Sequence, residues 1–142
     1  MIEMRAFRKV LWVLLIGYLT FILCYTVICR ESFPDYRYNF EPFWSYAASA
    51  KKTYLITENL LNILMFIPVG ALLKILYGKV SWRKMLVIMV LSSMTIECLQ
   101  LVFKKGFCEF DDVFHNALGG MIGFLVCDLV TKVWVRFRRE NG

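Results

Sequence analysis

Carboxylate, amide and imidazole side chains interrupt three otherwise apolar stretches of the chain. Ionisable groups are costly inside a bilayer, so each one needs a partner or a function. The residues are Glu58, Asn59, Asn62, Glu97, Gln100, Asp111, Asp112, His115 and Asn116. At the helical rise per residue, Asn62, Glu97 and Asn116 lie about 5 to 9 Å from the same end of their helices. This spacing predicts one polar pocket that opens at that end.

Three kinds of chemistry are open to such a pocket. Glu97 or Asp112 could act as a general acid or base, with His115 assisting. Asp112 and His115 could also bind a divalent cation, with Glu58 or Glu97 completing the shell. The amides favour a third use, a ligand-binding site, because Asn and Gln donate and accept hydrogen bonds but do not titrate. We expect this third use, with no metal and no cofactor, because the chain contains one His.

Purely structural roles are open to the same residues. Glu97 and Gln100 could bond across helices and fix their packing. Asp111 and Asp112 could lie at the start of a helix, where the partial positive charge favours carboxylates. Asp128 and Lys132 are spaced i,i+4, which predicts a structural ion pair at the far end of the same helix.

The composition places these residues in a membrane protein. Of the 142 residues, 59% are hydrophobic and 20% are charged, and the mean hydropathy is +0.58. These values argue against a soluble globule and against a disordered chain. The net charge of +6 comes largely from Lys and Arg that flank apolar runs. This placement predicts membrane orientation and no nucleic-acid partner.

Four apolar runs predict an all-α, integral membrane four-helix bundle. Each run is long enough to cross a bilayer core, which takes about 20 helical residues. They are 10–29, 56–77, 85–103 and 113–134. We expect residues 1–142 to form a single domain.

The flanking charges predict that both termini are cytoplasmic. Eleven of the 17 Lys and Arg residues flank one side of the bundle. The other, outer side has the remaining six: Arg30, Arg37, Lys51, Lys52, Lys104 and Lys105.

Other local patterns refine this architecture. The outer segment 30–55 is rich in aromatic residues, and we expect a short interfacial helix within 42–52. Gly119 and Gly123 form a small-xxx-small pair, which predicts close approach of the fourth span to a neighbouring helix. The five cysteines show no metal-binding spacing and are expected to be free thiols.

Four segments, taken together and in order, resemble the VanZ-like family of bacterial membrane proteins. The segments are 37–43 (RYNFEPF), 59–70 (NLLNILMFIPVG), 97–100 (ECLQ) and 110–123 (FDDVFHNALGGMIG). The resemblance implies a small multi-helix protein of the bacterial plasma membrane, in a family whose name-giving member is associated with low-level teicoplanin resistance. It adds Arg37 and Asn39 to the candidate ligand-binding residues. Relatives often have an Arg shortly before the Asp pair, whereas this chain has Lys104 and Lys105, and a Lys offers only a point charge.

Two functional hypotheses follow. In the first, a non-enzymatic membrane protein binds a cell-envelope or lipid-linked ligand in its outward polar pocket and modulates glycopeptide susceptibility. The expected partners are membrane lipids and a lipid-linked cell-wall precursor or a lipoglycopeptide. In the second, the pocket is the site of an intramembrane enzyme that acts on a lipid-linked envelope substrate by carboxylate acid/base chemistry. The sequence contains no HExxH, GxSxG, P-loop or GxGxxG motif, and we therefore favour the first hypothesis.

Overall fold

The structure, a computed structural model, describes residues 2–49 and 52–141. Helix α1 spans Ile2–Leu23 and continues into a π-helical turn, Cys24–Ile28. A two-residue strand β1 (Tyr38–Asn39) and a short helix α2 (Trp44–Ser49) follow. The rest of the chain forms α3 (Tyr54–Tyr77), α4 (Trp82–Val102), a two-residue strand β2 (Cys108–Glu109) and α5 (Phe110–Glu140).

The predicted all-α membrane fold is confirmed. Within the described residues, 79% of the chain is helical and four helices are long and apolar enough to cross a membrane. Their bounds are Glu3–Ile28, Tyr54–Tyr77, Trp82–Val102 and Phe110–Glu140. The first and last helices extend well beyond the predicted spans 10–29 and 113–134, because the flanking charged residues continue the helix outside the apolar core. The cytoplasmic position of both termini stays a prediction, and Lys51, one of the six cations of the predicted outer side, lies outside the described residues.

Helices α3 and α5 pack in backbone contact at three glycines. A Cβ atom added to Gly119 would lie 2.0 Å from the carbonyl oxygen of Ile63, and one added to Gly123 would lie 1.9 Å from that of Ile67. In α3, a Cβ added to Gly70 would lie 1.8 Å from the carbonyl oxygen of Gly120 in α5. The close approach predicted for the small-xxx-small pair is therefore confirmed, and α3 is the neighbour.

Helices α1 and α4 flank this central pair. The Tyr18 hydroxyl of α1 donates to the carbonyl oxygen of Met65 in α3 (3.0 Å). Met89 of α4 is fully buried, and a Cβ added to Gly120 would lie 2.1 Å from its sulfur. Most other large apolar side chains of the four long helices face outward, as expected where lipid rather than water is the solvent.

The two ends of the bundle differ in polarity. One end has the segments 29–49, 52–53 and 103–109, and we call it the polar end. There β1 and β2 pair in parallel, with Tyr38 opposite Cys108. At the other end, the basic end, Asp128 forms ion pairs with Lys132 (2.7 Å) and with Lys74 of α3 (2.5 Å). The predicted Asp128–Lys132 pair is confirmed, and Lys74 joins it to the neighbouring helix.

Candidate functional site

A cleft of about 220 Å³ opens at the polar end between α1, α3 and the start of α5. We call it the polar cleft and define it by its six polar lining residues. They are Arg30, Glu58, Asn59, Asn62, Glu109 and Asp112. A second lobe of about 380 Å³ shares Arg30, Glu58 and Glu109 with it.

The close packing of α3 on α5 brings together the first two polar groups of the cleft. The Asn62 amide nitrogen donates to a carboxylate oxygen of Asp112 at 2.6 Å. Asn62 lies one residue before Ile63, whose carbonyl contacts Gly119. Because the glycines bring the two backbones together, two short side chains can meet across the helix interface.

Asp111 holds the outer segment of the chain on top of the bundle. Its carboxylate accepts from the backbone N–H groups of Phe43 (2.6 Å) and Ser45 (3.0 Å) and from the Ser45 hydroxyl (2.5 Å). The Asn59 amide in turn donates to the same hydroxyl oxygen (3.0 Å). Asp111 therefore caps α2 from a distant part of the chain, rather than capping its own helix, and it is fully buried.

Two glutamates link β2 to its neighbours. A carboxylate oxygen of Glu97 accepts from the backbone N–H of Glu109 at 3.0 Å, and Glu97 is buried behind the cleft. The Trp44 indole N–H donates to the Glu109 carboxylate at 3.1 Å. Burial, together with the negative charge of Asp112, raises the pKa of Glu109 from 4.5 to about 7. Burial likewise raises the pKa of the adjacent Cys108 thiol to about 11, which keeps it a neutral thiol.

Arg30 supplies the one guanidinium among the cleft-lining residues that the structure describes. The Lys105 ammonium donates to the Arg30 carbonyl oxygen at 2.7 Å and fixes the backbone there. The side chain lies over Gly106, where an added Cβ would be 2.7 Å from the Nη1 atom. A glycine is therefore needed at position 106, where φ is +138°. The segment before the Asp pair offers only lysines, but Arg30 gives the cleft a planar guanidinium.

The other predicted ligand-binding residues lie outside the cleft lining. The Arg37 guanidinium is 3.7 Å from the centre of the Phe33 ring, and the Asn39 side chain accepts from the backbone of Glu41 (2.9 Å). Two further amides bond across helices. They are Gln100, which donates to the Thr26 carbonyl (3.1 Å), and Asn116, which donates to the Ser93 hydroxyl (2.9 Å). The predicted ligand-binding residues are Arg37, Asn39 and all the polar residues named at the outset except His115, ten in total. Four of these ten line the cleft: Glu58, Asn59, Asn62 and Asp112.

The three candidate catalytic residues occupy separate environments. Asp112 lines the cleft, whereas Glu97 lies behind it against β2. His115 is fully buried, and its Nε2 atom is 2.7 Å from the Tyr46 hydroxyl of α2. Within residues 2–49 and 52–141, no three His, Cys, Asp or Glu side chains are grouped so that they could hold a metal ion. All five cysteines are free thiols, as the sequence predicts.

Sequence reasoning did not identify Tyr25, Arg30, Phe107 and Glu109 as cleft residues. Arg30 follows the first span directly, and Glu109 directly precedes the Asp pair. Both positions could have been found by asking which charged residues flank the predicted pocket. Tyr25 and Phe107 had no comparable signal, since aromatic residues are common in the first span and in the outer segments.

Comparison with known proteins agrees with this architecture. The family model VanZ/LLP1 matches residues 7–131. Protein VanZ of Enterococcus faecium is 27% identical over 120 residues, which cover 84% of this chain and 70% of that protein. No solved structure matches the chain significantly. Because the family model covers most of the chain, including all four long apolar helices in whole or in large part, the protein belongs to the VanZ/LLP1 family.

Proposed function

We propose that this protein is a bacterial plasma-membrane protein whose polar cleft binds a cell-envelope or lipid-linked ligand. Binding alters how lipophilic glycopeptides such as teicoplanin reach cell-wall precursors at the membrane surface. The observation that carries the proposal is the cleft itself. It places a guanidinium, carboxylates and amides in one concave site at the end of four apolar helices.

The polar groups of the cleft suit recognition of a polar headgroup. Asn59 and Asn62 cannot titrate and so cannot transfer protons. The Arg30 and Glu58 side chains form no ion pair within residues 2–49 and 52–141. Unpaired charges at a membrane surface favour a ligand that brings complementary groups.

The orientation predicted from the flanking Lys and Arg residues places the polar cleft on the outer face. In that position the cleft meets lipid headgroups, lipid-linked precursors and external glycopeptides. These are the partners that we propose, and membership of the VanZ/LLP1 family is consistent with a link to teicoplanin.

Direct binding to the purified protein tests this proposal. The probes are teicoplanin and a polyprenyl-diphosphate-linked cell-wall precursor, each titrated into the full-length protein in detergent. We expect at least one probe to bind, and Asp112→Asn to weaken binding about tenfold, the loss expected for a charge-assisted contact. Asp35→Asn is the matched control, because Asp35 is exposed in the outer segment at the same end. If neither probe binds to wild type, the proposal is wrong. It is also wrong if Asp112→Asn binds the probes as tightly as wild type and Asp35→Asn do.

The second candidate function is an intramembrane enzyme that acts on a lipid-linked substrate. Its support is that the Asp112 carboxylate lines the cleft and Glu97 lies behind it across β2. This function predicts that wild type converts the same lipid-linked probe. If Glu97→Gln abolishes the conversion while the probe still binds, the enzyme is favoured over simple binding. Unchanged probe after long incubation with wild type would exclude this reaction.

A further inference from the structure

The polar cleft continues into an apolar groove between α1 and α3. The groove has a volume of about 270 Å³ and shares Tyr25, Leu61 and Met65 with the cleft. The other residues that line it are Tyr18, Phe21 and Leu64. One elongated site therefore passes from charged groups at the polar end to hydrocarbon side chains within the span.

The walls of this groove are fixed by contacts within and between the two helices. The rings of Phe21 and Tyr25 stack with their centres 6.2 Å apart. The Tyr18 hydroxyl donates to the Met65 carbonyl oxygen and links the two helices at the groove. From Tyr18 to Tyr25 the groove follows the helix axis for about 10 Å.

A groove of this kind suits one hydrocarbon chain. In a bilayer, an acyl chain gains no hydrophobic free energy by moving from lipid into an apolar groove, so only its packing contributes. Selectivity must then come from the headgroup in the polar cleft. The length and position of the groove fit a chain that is attached to that headgroup.

The charges of the cleft define which headgroup is complementary. Arg30 offers a planar guanidinium, which matches phosphate oxygens. Glu58, Glu109 and Asp112 offer carboxylates on the same walls. Among the polar residues that line the cleft, Arg30 would attract a phosphate, whereas Glu58 and Asp112, and Glu109 when it is ionised, would repel it. A headgroup with a phosphate and a primary ammonium satisfies both kinds of group.

We infer that the polar cleft and the α1/α3 groove together hold one molecule of a zwitterionic aminophospholipid. Its phosphate contacts Arg30, its ammonium contacts Glu58 and Asp112, and one acyl chain lies along Phe21 and Leu64. This inference rests on the proposed function and specifies the ligand class of the same site.

Native mass spectrometry of the full-length protein in detergent tests the inference. The probes are dioleoyl phosphatidylethanolamine, dioleoyl phosphatidylglycerol and glycerophosphoethanolamine, which has the headgroup but no chains. We expect the first to bind at least about tenfold more tightly than either of the others. Equal affinity for the two phospholipids would overturn the headgroup assignment. If glycerophosphoethanolamine bound as tightly as dioleoyl phosphatidylethanolamine, the groove assignment would be wrong.

Matched variants separate the groove from the general lipid-facing surface. Leu64→Trp fills the groove, whereas Leu91→Trp makes the same change at an exposed position on α4. We expect the first change to lower phosphatidylethanolamine affinity about tenfold and the second to leave it unchanged. Because both side chains face outward, neither change is expected to prevent folding. If Leu64→Trp does not fold, the preference of wild type among the three probes decides the question.

The headgroup preference is tested by removing one negative charge. Glu58→Gln is expected to reduce the preference for phosphatidylethanolamine over phosphatidylglycerol to about twofold or less. Glu41→Gln is the control, since Glu41 is exposed in the outer segment. If the preference is unchanged in Glu58→Gln, the ammonium assignment is wrong.

The two sets of experiments distinguish a failure of this inference from a failure of the proposed function. If the cleft binds the lipid-linked cell-wall precursor in an Asp112-dependent way but shows no preference among phospholipids, only the further inference fails. If phosphatidylethanolamine binds as described but neither teicoplanin nor the precursor does, the glycopeptide role fails and the lipid site stands.

Discussion

At the residue scale, Asp111 shows how one carboxylate organises the polar end. Its two oxygens accept three hydrogen bonds from Phe43 and Ser45, and no water reaches it. A carboxylate that accepts three hydrogen bonds is well matched to its donors, since hydrogen bonds to charged groups are about twice as strong as neutral ones. The position of α2 on the bundle therefore depends on this residue.

Asp111→Asn is expected to loosen the outer segment. One acceptor oxygen becomes an NH₂ group that faces donors, and a buried unsatisfied pair costs about 1 to 3 kcal/mol. Thermal unfolding in detergent and limited proteolysis of residues 30–53 measure the effect. The control Asp35→Asn changes an exposed residue. Equal unfolding temperatures for the two variants would contradict the role of Asp111.

Glu109 is expected to make stability fall as pH rises through neutrality. Its pKa is raised to about 7 in the folded protein, compared with 4.5 ordinarily. The folded state therefore holds a proton between about pH 4.5 and pH 7 that the unfolded state has lost. Its contribution to stability is complete below pH 4.5 and is lost as pH rises through about 7.

Unfolding temperatures at pH 5, 6, 7 and 8 measure this dependence. Glu109→Gln keeps an acceptor for the Trp44 indole but cannot ionise, so it should have a flatter profile than wild type. Identical slopes for the two proteins would show that Glu109 does not titrate in this range.

The sequence predicted individual residues unevenly. Their depth in the membrane follows from helix rise, so Asn62, Glu97 and Asn116 were correctly expected at the polar half of their spans. Their partners depend on helix rotation and on loop paths, which local patterns do not contain. For that reason Asn116 bonds to Ser93 and Gln100 to Thr26, whereas the sequence predicts both in the pocket.

At the element scale, the glycine contacts between α3 and α5 set the distance between these helices. Gly123→Ala places a methyl group against the carbonyl oxygen of Ile67. Overpacking of this kind costs about 1 to 3 kcal/mol, because the backbone must shift. We expect a lower unfolding temperature and weaker ligand binding, since the Asn62–Asp112 contact needs the same close approach.

Gly17→Ala is the matched control for this prediction. Gly17 lies in α1 with no atom within 4 Å of the added methyl group. Alanine is favoured over glycine in a helix by about 1 kcal/mol, so this variant should be as stable as wild type or more stable. Effects of the same sign and size at the two glycines would contradict the close-packing account.

The elements themselves were largely predictable. Long apolar runs and flanking charges identify the four spans, and small residues identify the tight interface. The parallel β1–β2 pair was not predicted, because two residues carry no strand periodicity and the pairing joins segments about 70 positions apart. The short helix within 42–52 was predicted, and its interfacial position stays a prediction.

At the scale of the whole molecule, the predicted orientation places the polar end outside the cell. Ser32 is exposed at the polar end, and Ser81 is exposed at the basic end between α3 and α4. In a variant whose five cysteines are replaced, an impermeant maleimide should label Ser32→Cys but not Ser81→Cys in intact cells. Permeabilised cells should give labelling at both positions. The reverse pattern in intact cells would invert the topology and place the cleft on the cytoplasmic side.

The most direct test of the central claim is antibiotic susceptibility in a sensitive Gram-positive host. Wild type, Asp112→Asn, Glu97→Gln and the control Asp35→Asn are expressed at matched membrane levels. We expect wild type and the control to raise the inhibitory concentration of teicoplanin and not that of vancomycin. Asp112→Asn and Glu97→Gln should return teicoplanin sensitivity to that of cells without the protein. No teicoplanin shift with wild type, or a shift retained by both Asp112→Asn and Glu97→Gln, would contradict the account.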